Sequence, residues 1–389
     1  MPRLVLLTPA ELTRDPRARR AAQAAVAAGW EVVGACIAAG GDPVALDGVR
    51  VLRTGGERLD NALRARGLGG GRRDARVLRE LRGLYRLIRL ARTTVDLVRI
   101  GRTVHRADVV HANDFDTLPA GVLLRRALGA RLVYDAHELY TLQEADPPRV
   151  YSVAARALER ALARRADAVV TVSAPIAREL ERLLGLATTP IVVLNCPASA
   201  PHASDPDVTR PLRAIYQGAV GLGRSLDDLL DAAAAVDGLD LSLRLVGIPE
   251  PAVRAEAARR GLGSRVSILA PVDPDGLVEA LVGFDVGIVA TRPLTRNDEL
   301  AAPNKLFEYM MAGLALAVPR LPGVAEIVEA DELGLTFEPG SPASLAGVLT
   351  RLAADPGEVA AMKARSRSAA LERYNAETQR PALFKAWTS

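Results

Sequence analysis

Lysine and cysteine are scarce in this 389-residue chain. The chain has 47 arginines but only three lysines, Lys305, Lys363 and Lys385. The excess of arginine and alanine is typical of a GC-rich genome, so a lysine says more about a site than an arginine does. Two cysteines, Cys36 and Cys196, form no metal-binding or disulfide motif and favour a reducing compartment.

Long hydrophobic runs are also missing. No apolar run reaches the ~18 residues that a membrane-spanning helix needs, and residues 1–9 are too short and too early-charged for a signal peptide. Hydrophobic residues make up 49% and charged residues 25% of the chain, which excludes a disordered, collagen-like or disulfide-scaffold protein. We therefore expect a cytoplasmic protein, with peripheral attachment to the inner face of a membrane as an alternative.

Short apolar runs alternate with longer helical patterns along the whole chain. The runs lie at 3–8, 31–38, 107–113, 131–137, 168–173 and 190–195, and then at 213–218, 241–247, 265–272, 286–291, 314–319 and 333–339. Such repetition predicts right-handed βαβ units, and hence parallel sheets covered by helices on both faces. The sequence indicates an α/β fold with two doubly wound domains facing each other, and ligands at the carboxyl ends of the strands.

Composition and helical patterns set the expected domain boundaries. Residues 1–200 are predicted to form one domain, and residues 201–370 a second. The Pro- and Ala-rich stretch 197–211 indicates the linker between them. Residues 371–389 are predicted to form a helix that packs back on the first domain.

Positive charge is concentrated in residues 72–106. Eleven arginines stand there against three acidic residues, which gives this segment a charge of +8 and the rest of the chain −4. On a helical projection, six of the arginines share one arc: Arg72, Arg76, Arg79, Arg82, Arg86 and Arg89. The opposite arc includes Leu81, Leu84, Ile88 and Val95. The helix either packs its apolar arc on a core or contacts anionic lipid or another polyanion. Nucleic acid is disfavoured, because no recognition motif accompanies the arginines.

The most specific stretch is TRPLTRNDELAAPNKLFEYMMAGLALAVPRLPGVAEIV at 291–328. A helix is predicted to begin near Asn304 and to end at Gly313, a residue suited to the position after a helix end. Its first N–H groups and positive dipole end would suit a diphosphate, with Lys305 in the first turn. Glu308, one turn further, either accepts the hydroxyls of a ribose or serves as a dipole partner.

These residues carry a family resemblance. PNKLFEYMMAGLALAV, with LPGVAEIVE after it, resembles the carboxyl-domain signature of the retaining glycosyltransferase family 4. HANDFDTLPAGVLLRRALGARLVYDAHELY (111–140) is similar to the amino-domain counterpart, and RDPRARRAAQAAVAAGWEV and IYQGAVGLGRSLDDLLDA extend the likeness over nearly the whole chain. The resemblance implies a GT-B fold and metal-independent transfer of a sugar, with retained configuration, from a nucleoside-diphosphate sugar to an acceptor.

The resemblance also implies roles for individual residues. His137, Arg224 and Lys305 are the implied catalytic residues. The implied donor-binding residues are Gly218, Gly221, Arg224, Gly247, Val272, Asn304, Lys305 and Glu308. Two positions depart from the family pattern: Leu300 replaces the first Glu of an E-x7-E motif, and Ala219 replaces the first cation of a phosphate-binding pair. Glu299 or Asn297 is the expected substitute for the missing Glu.

The implied acceptor-side residues are His111, Asp114, Asp116 and Glu138. His111 is alternatively structural, and Asp116 alternatively a helix cap. His137 either binds the sugar or is a satisfied histidine under a loop. Asp114 and Asp116 mimic a metal-binding D-x-D, but the resemblance implies no metal and no cofactor.

The acceptor is either a lipid-linked saccharide or a soluble natural product such as an antibiotic precursor. Two other functions stay open at this point. One is a nucleotide-sugar epimerase of the same fold, and the other is a non-catalytic relative that binds a partner.

Overall fold

The computed structural model describes residues 1–38, 45–55, 75–201, 203–205, 207–208, 210–219 and 226–389. The chain divides into two units. The first unit comprises Met1–Val193 and Arg380–Ser389, and the second comprises Leu194–Gln379. The divisions at 193 and 379 differ from the predicted ones at 200 and 370, because residues 194–200 and 371–379 belong to the second unit.

The first unit is a parallel seven-stranded sheet with order β3-β2-β1-β4-β5-β6-β7. Its strands are β1 (Arg3–Thr8), β2 (Glu31–Ile37), β3 (Val49–Thr54), β4 (Val109–Asn113), β5 (Arg131–Ala136), β6 (Ala168–Thr171) and β7 (Ile191–Val192). Its helices are α1 (Pro16–Ala27), α2 (Ala75–Gly101), α3 (Leu118–Leu128), α4 (Arg149–Ala163) and α5 (Ala174–Leu184). Every residue of β4 is buried, as expected for a central strand covered on both faces.

The second unit is a parallel six-stranded sheet with order β10-β9-β8-β11-β12-β13. Its strands are β8 (Leu212–Ala219), β9 (Leu239–Val246), β10 (Val266–Ile268), β11 (Val286–Ile288), β12 (Ala315–Pro319) and β13 (Gly334–Phe337). Its helices are α6 (Leu226–Ala234), α7 (Glu250–Arg259), α8 (Arg296–Leu300), α9 (Asn304–Met311), α10 (Pro322–Ala330), α11 (Pro342–Ala354) and α12 (Pro356–Glu372). The last helix, α13 (Ala376–Thr388), begins in this unit and ends in the first.

Both strand orders confirm the predicted doubly wound sheets. In each sheet the first strand of the unit lies beside the fourth, β1 beside β4 and β8 beside β11. The order of the strands reverses there, so a crevice opens outside the carboxyl ends of these neighbours. Ligands of open α/β sheets bind at that point.

The long basic segment forms α2, but its rotation differs from the core-packed alternative. Leu81, Leu84, Ile88 and Val95 are each half exposed or more. The helix instead packs Gly83 against Pro148, and a Cβ atom added to Gly83 would lie 2.7 Å from Pro148 Cβ. A glycine allows this close approach, and the predicted apolar arc therefore faces solvent. Within the described residues, no helix is both long and apolar enough to span a membrane.

Candidate active site

Lys305 lies at the carboxyl end of β8, where the second sheet reverses its strand order. Its Nζ is 4.3 Å from the ring centroid of Tyr216, close enough for a cation–π contact. A Cβ atom added to Gly218 would lie 2.7 Å from the same Nζ, and Gly218 has a φ of +130°. Only glycine satisfies both conditions without strain. The structure thus brings together Gly218 and Lys305, which the sequence predicted as neighbours of a diphosphate.

Glu308 lies one turn further along α9 and is buried. Its Oε2 accepts a 2.6 Å hydrogen bond from Gln217 Nε2, and Gln217 Oε1 accepts one of 3.2 Å from Arg244 Nη1. Burial lowers the pKa of Arg244. The chain of contacts fixes the orientation of the Gln217 amide, because its NH2 group must face Glu308 and its oxygen Arg244. The Glu308 carboxylate is therefore held in place, which fits recognition of a vicinal diol.

Contacts of Tyr309 and Asn304 also fix the position of α9. Tyr309 Oη accepts a 3.0 Å hydrogen bond from the backbone N–H of Gln217 and lies 3.3 Å from the carbonyl of Ile288. A Cβ atom at Gly287 would lie 2.4 Å from the Tyr309 ring, so β11 admits only glycine there. Asn304, the first residue of α9, accepts a 2.7 Å hydrogen bond from Asn195 Nδ2. No side chain caps this helix, as its N-cap is Pro303.

The short helix α8, which precedes α9, holds the two predicted substitutes for the missing glutamate. Leu300 and Asn297 are both buried in α8. Glu299 Oε2 is 2.5 Å from Arg296 Nη1, and α8 begins with a capping box between Thr295 and Asp298. Asn297 is thus the buried polar side chain of this helix, whereas Glu299 pairs with its own neighbour.

The remaining predicted donor residues lie at or beyond strand ends. Gly247 follows β9 with a φ of +91° and Val272 follows β10 with a partly exposed side chain. Ala219 is the last residue of β8, and its carbonyl accepts a 2.8 Å hydrogen bond from Tyr216 Oη. Gly221 and Arg224 lie outside the described residues.

In the first unit, Asp135 organises the carboxyl edge of the sheet. Arg17 donates two hydrogen bonds to its carboxylate, of 2.7 and 2.8 Å, and a third of 2.7 Å to the carbonyl of Val193. Although burial disfavours its charged form, the charges of Arg17 and His137, with hydrogen bonds from His111 and His137, hold the pKa of Asp135 well below its usual range. A permanent anion therefore lies beneath the strand ends.

His137 follows β5 and lies between two carboxylates. Its Nδ1 is 3.5 Å from Asp114 Oδ1, and its Nε2 is 3.5 Å from Asp135 Oδ2. Burial disfavours the charged ring, but these carboxylates outweigh it and raise the pKa of His137 to about 9. Burial in turn raises the pKa of Asp114. The Nε2 atom is buried and faces Asp135, so both ring nitrogens are directed at carboxylates.

The other predicted acceptor-side residues have different surroundings. His111 is completely buried, accepts a 3.0 Å hydrogen bond from Trp387 Nε1 at Nδ1, and presents Nε2 to Asp135 at 3.3 Å. Both ring nitrogens are thus engaged, which supports the structural alternative. Asp116 accepts a 2.7 Å hydrogen bond from Tyr140 Oη, and the N-cap of α3 is Thr117 rather than Asp116. Glu138 is exposed and accepts a hydrogen bond from Gln143.

Comparison with known families decides the class of this protein. Residues 15–197 match the family described as glycosyl transferase 4-like domain, and residues 213–355 match the family described as glycosyl transferases group 1. The chain is a glycosyltransferase. A comparison with curated proteins gives no match.

Solved structures show that this glycosyltransferase has the GT-B fold. Sucrose-phosphate synthase from Thermosynechococcus elongatus is 17% identical with a TM-score of 0.75, over 100% of this chain and 98% of that one. Anabaena HepE in complex with UDP is 17% identical with a TM-score of 0.69, over 99% of both chains. A variant of S. aureus TarM in complex with Fondaparinux, alpha-GlcNAc-glycerol and UDP is 7% identical with a TM-score of 0.71, over all of both chains.

Four residues that surround His137 and Glu308 were not predicted from the sequence of the glycosyltransferase. Arg17 and Asp135 form an ion pair across 118 positions, and Gln217 and Arg244 build the support of Glu308. A polar residue inside an apolar strand run was the available signal, since Asp135, Gln217 and Arg244 all interrupt such runs. No comparable signal distinguishes Arg17 from its helical neighbours. Among the described residues, no group of three or more His, Cys, Asp or Glu side chains could hold a metal.

Proposed function

We propose that this glycosyltransferase takes its sugar from a nucleoside-diphosphate sugar and retains the anomeric configuration without a metal, as members of family 4 do. The observation that carries the donor class is the close approach of Lys305, in the first turn of α9, to the backbone of Gly218. Glu308, which is buried and oriented by Gln217, lies one turn further along the same helix. The structurally similar HepE is described in complex with UDP and with UDP-glucose. Retention rests on the resemblance to family 4.

In this proposal the leaving diphosphate is stabilised electrostatically. Cleavage of the anomeric bond builds negative charge on the diphosphate, which Lys305 and the positive end of α9 would offset. Glu308 would accept hydrogen bonds from the ribose. His137, charged at neutral pH, would donate a hydrogen bond to a sugar hydroxyl and would not serve as a general base, because a pKa of about 9 keeps its proton in place.

Substitution of Lys305 tests the donor site. We expect Lys305→Ala to lower turnover of the donor about 10²–10³-fold, the usual effect of removing one group that stabilises developing negative charge. Lys385→Ala, the same change at an exposed lysine of α13, serves as the control. Turnover close to the wild-type rate in the Lys305 variant would overturn the assignment. Activity that persists in EDTA is expected from a metal-independent enzyme.

Product analysis separates the proposal from its alternatives. A transferase forms a new glycoside with retained configuration, which NMR of the product identifies. An epimerase of the same fold would yield an altered nucleotide sugar without an acceptor. A binding protein would show neither transfer nor slow hydrolysis of the donor.

We further propose that α2 places the enzyme on an anionic membrane, which favours a lipid-linked acceptor over a soluble one. The exposed stripe of Leu81, Leu84, Ile88 and Val95 runs along one face of this helix. Arginines border the stripe, so the face combines apolar area with positive charge, as interfacial helices do.

Vesicle binding tests the membrane contact. Vesicles rich in phosphatidylglycerol should bind the protein, and binding should weaken with salt because surface charges are screened. We expect the double variant Leu84→Gln and Ile88→Gln to lose most of the binding. Leu123→Gln, the same change at an exposed leucine of α3, should not. Absence of binding at low salt would remove the proposal.

A further inference from the structure

A cavity of about 390 Å³ opens in the first unit, bounded by α2, the 3₁₀ turn Tyr140–Leu142 and the start of α4. Arginines and tyrosines dominate its lining: Arg82, Arg86, Arg89, Tyr85, Tyr140 and Tyr151. The volume lies within the range of small-molecule sites. The lining belongs to a different side of α2 from the exposed apolar stripe.

Positive charge exceeds negative charge in this cavity. Arg86 Nη1 is 2.6 Å from Glu144 Oε1, and Arg89 Nη2 is 3.5 Å from Asp116 Oδ2. Arg82 forms no ion pair with the described acidic residues. The guanidinium of Arg86 lies 5.3 Å from the ring centroid of Tyr151, which orients it. Three guanidinium groups against the single lining acid Glu144 favour an anionic ligand.

The cavity is close to the predicted acceptor side of the site. Tyr140 lines it and donates to Asp116, which also faces Arg89. His137 precedes Tyr140 by three residues, a span of at most about 11 Å. His137 therefore lies within this distance of the cavity lining.

We infer that this cavity binds a phosphate group of the acceptor, an inference that rests on the proposed transferase function. Guanidinium forks match phosphate oxygens in two-point contacts. The tyrosine rings offer apolar faces for the group that carries the phosphate. The phosphate can belong to a lipid headgroup or to a soluble molecule, since both present the same oxygens.

Calorimetric titration of the full-length protein with inorganic pyrophosphate tests this inference. We expect two binding sites, one at Lys305 and one in the cavity. The double variant Arg82→Gln and Arg86→Gln should weaken the cavity site about tenfold or more, as loss of charged hydrogen bonds does, while Lys305→Ala should affect only the other site. Failure of the donor proposal and failure of this inference thus give different results. Arg99→Gln, an exposed arginine outside the lining of the cavity, is the matched control.

A second variant guards against a purely structural effect. Glu144→Gln removes the carboxylate that competes for Arg86, so it should tighten pyrophosphate binding about two- to fivefold, the equivalent of an exposed ion pair. The inference is overturned if the double variant binds like Arg99→Gln, or if Glu144→Gln weakens binding. Phosphatidic acid vesicles and glycerol phosphate separate the two sources: a lipid phosphate requires Leu84 and Ile88 as well as the arginines, whereas a soluble phosphate requires the arginines alone.

Discussion

At the carboxyl edge of the first sheet, a few charged side chains determine one another's protonation. Asp135 stays ionised because Arg17 holds both of its oxygens. Asp135 and Asp114 together keep the His137 proton. The carboxylates thus turn a histidine, which would otherwise titrate near neutrality, into a constant hydrogen-bond donor.

Titration of His137 checks this arrangement. Its ring resonances in NMR should shift with a midpoint near pH 9, and Asp114→Asn should lower that midpoint. The folded-state pKa is raised above the ordinary 6.5, so the stabilising contribution of the charged ring is complete below about pH 6.5 and is lost as the pH rises through about 9. A midpoint at 6.5 in the folded protein would contradict the ion pairs described here.

Glu159 in α4 gives a second pH-dependent prediction. Burial raises its pKa to about 7, while a 2.8 Å hydrogen bond from Tyr134 Oη partly opposes the shift. Its contribution to stability is therefore lost as the pH rises from about 4.5 through 7. Glu159→Gln keeps an acceptor for Tyr134 without the charge, so the variant should gain stability relative to the wild type over that range. Urea unfolding at pH 5 and pH 8 measures the difference, and an equal difference at both would contradict it.

Elements with local signals were predictable from the sequence. Asp15, a residue type that favours the N-cap position, caps α1, since its carboxylate accepts from the N–H groups of Arg17 and Ala18. Gly313 ends α9 with the expected positive φ of +72°. The rotation of α2 was not predictable, because it depends on the contact of Gly83 with Pro148, a residue 65 positions away. β3 was missed because its run VRVLRT is polar and only partly buried.

The same limit applies to the candidate site. Lys305 and Glu308 could be located because a helix start and a family motif both mark them. The residue that orients Glu308, Gln217, lies 91 positions earlier and meets it only through sheet packing. His111 shows the converse, because the sequence left it as either an acceptor-side or a structural residue. The contact that supports the structural alternative comes from Trp387, 276 positions away.

The end of the last helix, α13, is a structural element of the first unit. Trp387 packs on Trp30 and Phe384, at 5.4 and 5.0 Å between ring centroids, and donates to His111. Trp387→Ala should cost about 3–5 kcal/mol of stability, as for other buried aromatic residues. Trp387→Phe should cost less, about 1–3 kcal/mol, because it removes mainly the hydrogen bond and leaves His111 Nδ1 unpaired. Thermal or chemical unfolding measures both, and an equal loss in the two variants would contradict the role of the packing.

Across the whole molecule, the two units have separate cores. Tyr216, Leu243 and other buried residues of β8 and β9 pack within the second unit, while Leu4, Leu6 and Trp387 pack within the first. The proposed donor residues Gly218, Lys305 and Glu308 all belong to the second unit. The cavity of α2 and the surroundings of His137 belong to the first.

This division predicts where ligands will protect the backbone. A nucleoside diphosphate stabilises the state that binds it, in proportion to its concentration over its Kd. Hydrogen exchange with mass spectrometry should therefore show the largest gain in protection within 194–379, around β8 and α9, and Lys305→Ala should abolish that gain. Trp387→Ala should instead increase exchange around β1 and β4 and leave the gain at β8 and α9 in place. If the nucleoside diphosphate protects mainly residues 1–193, the donor site does not lie at Lys305.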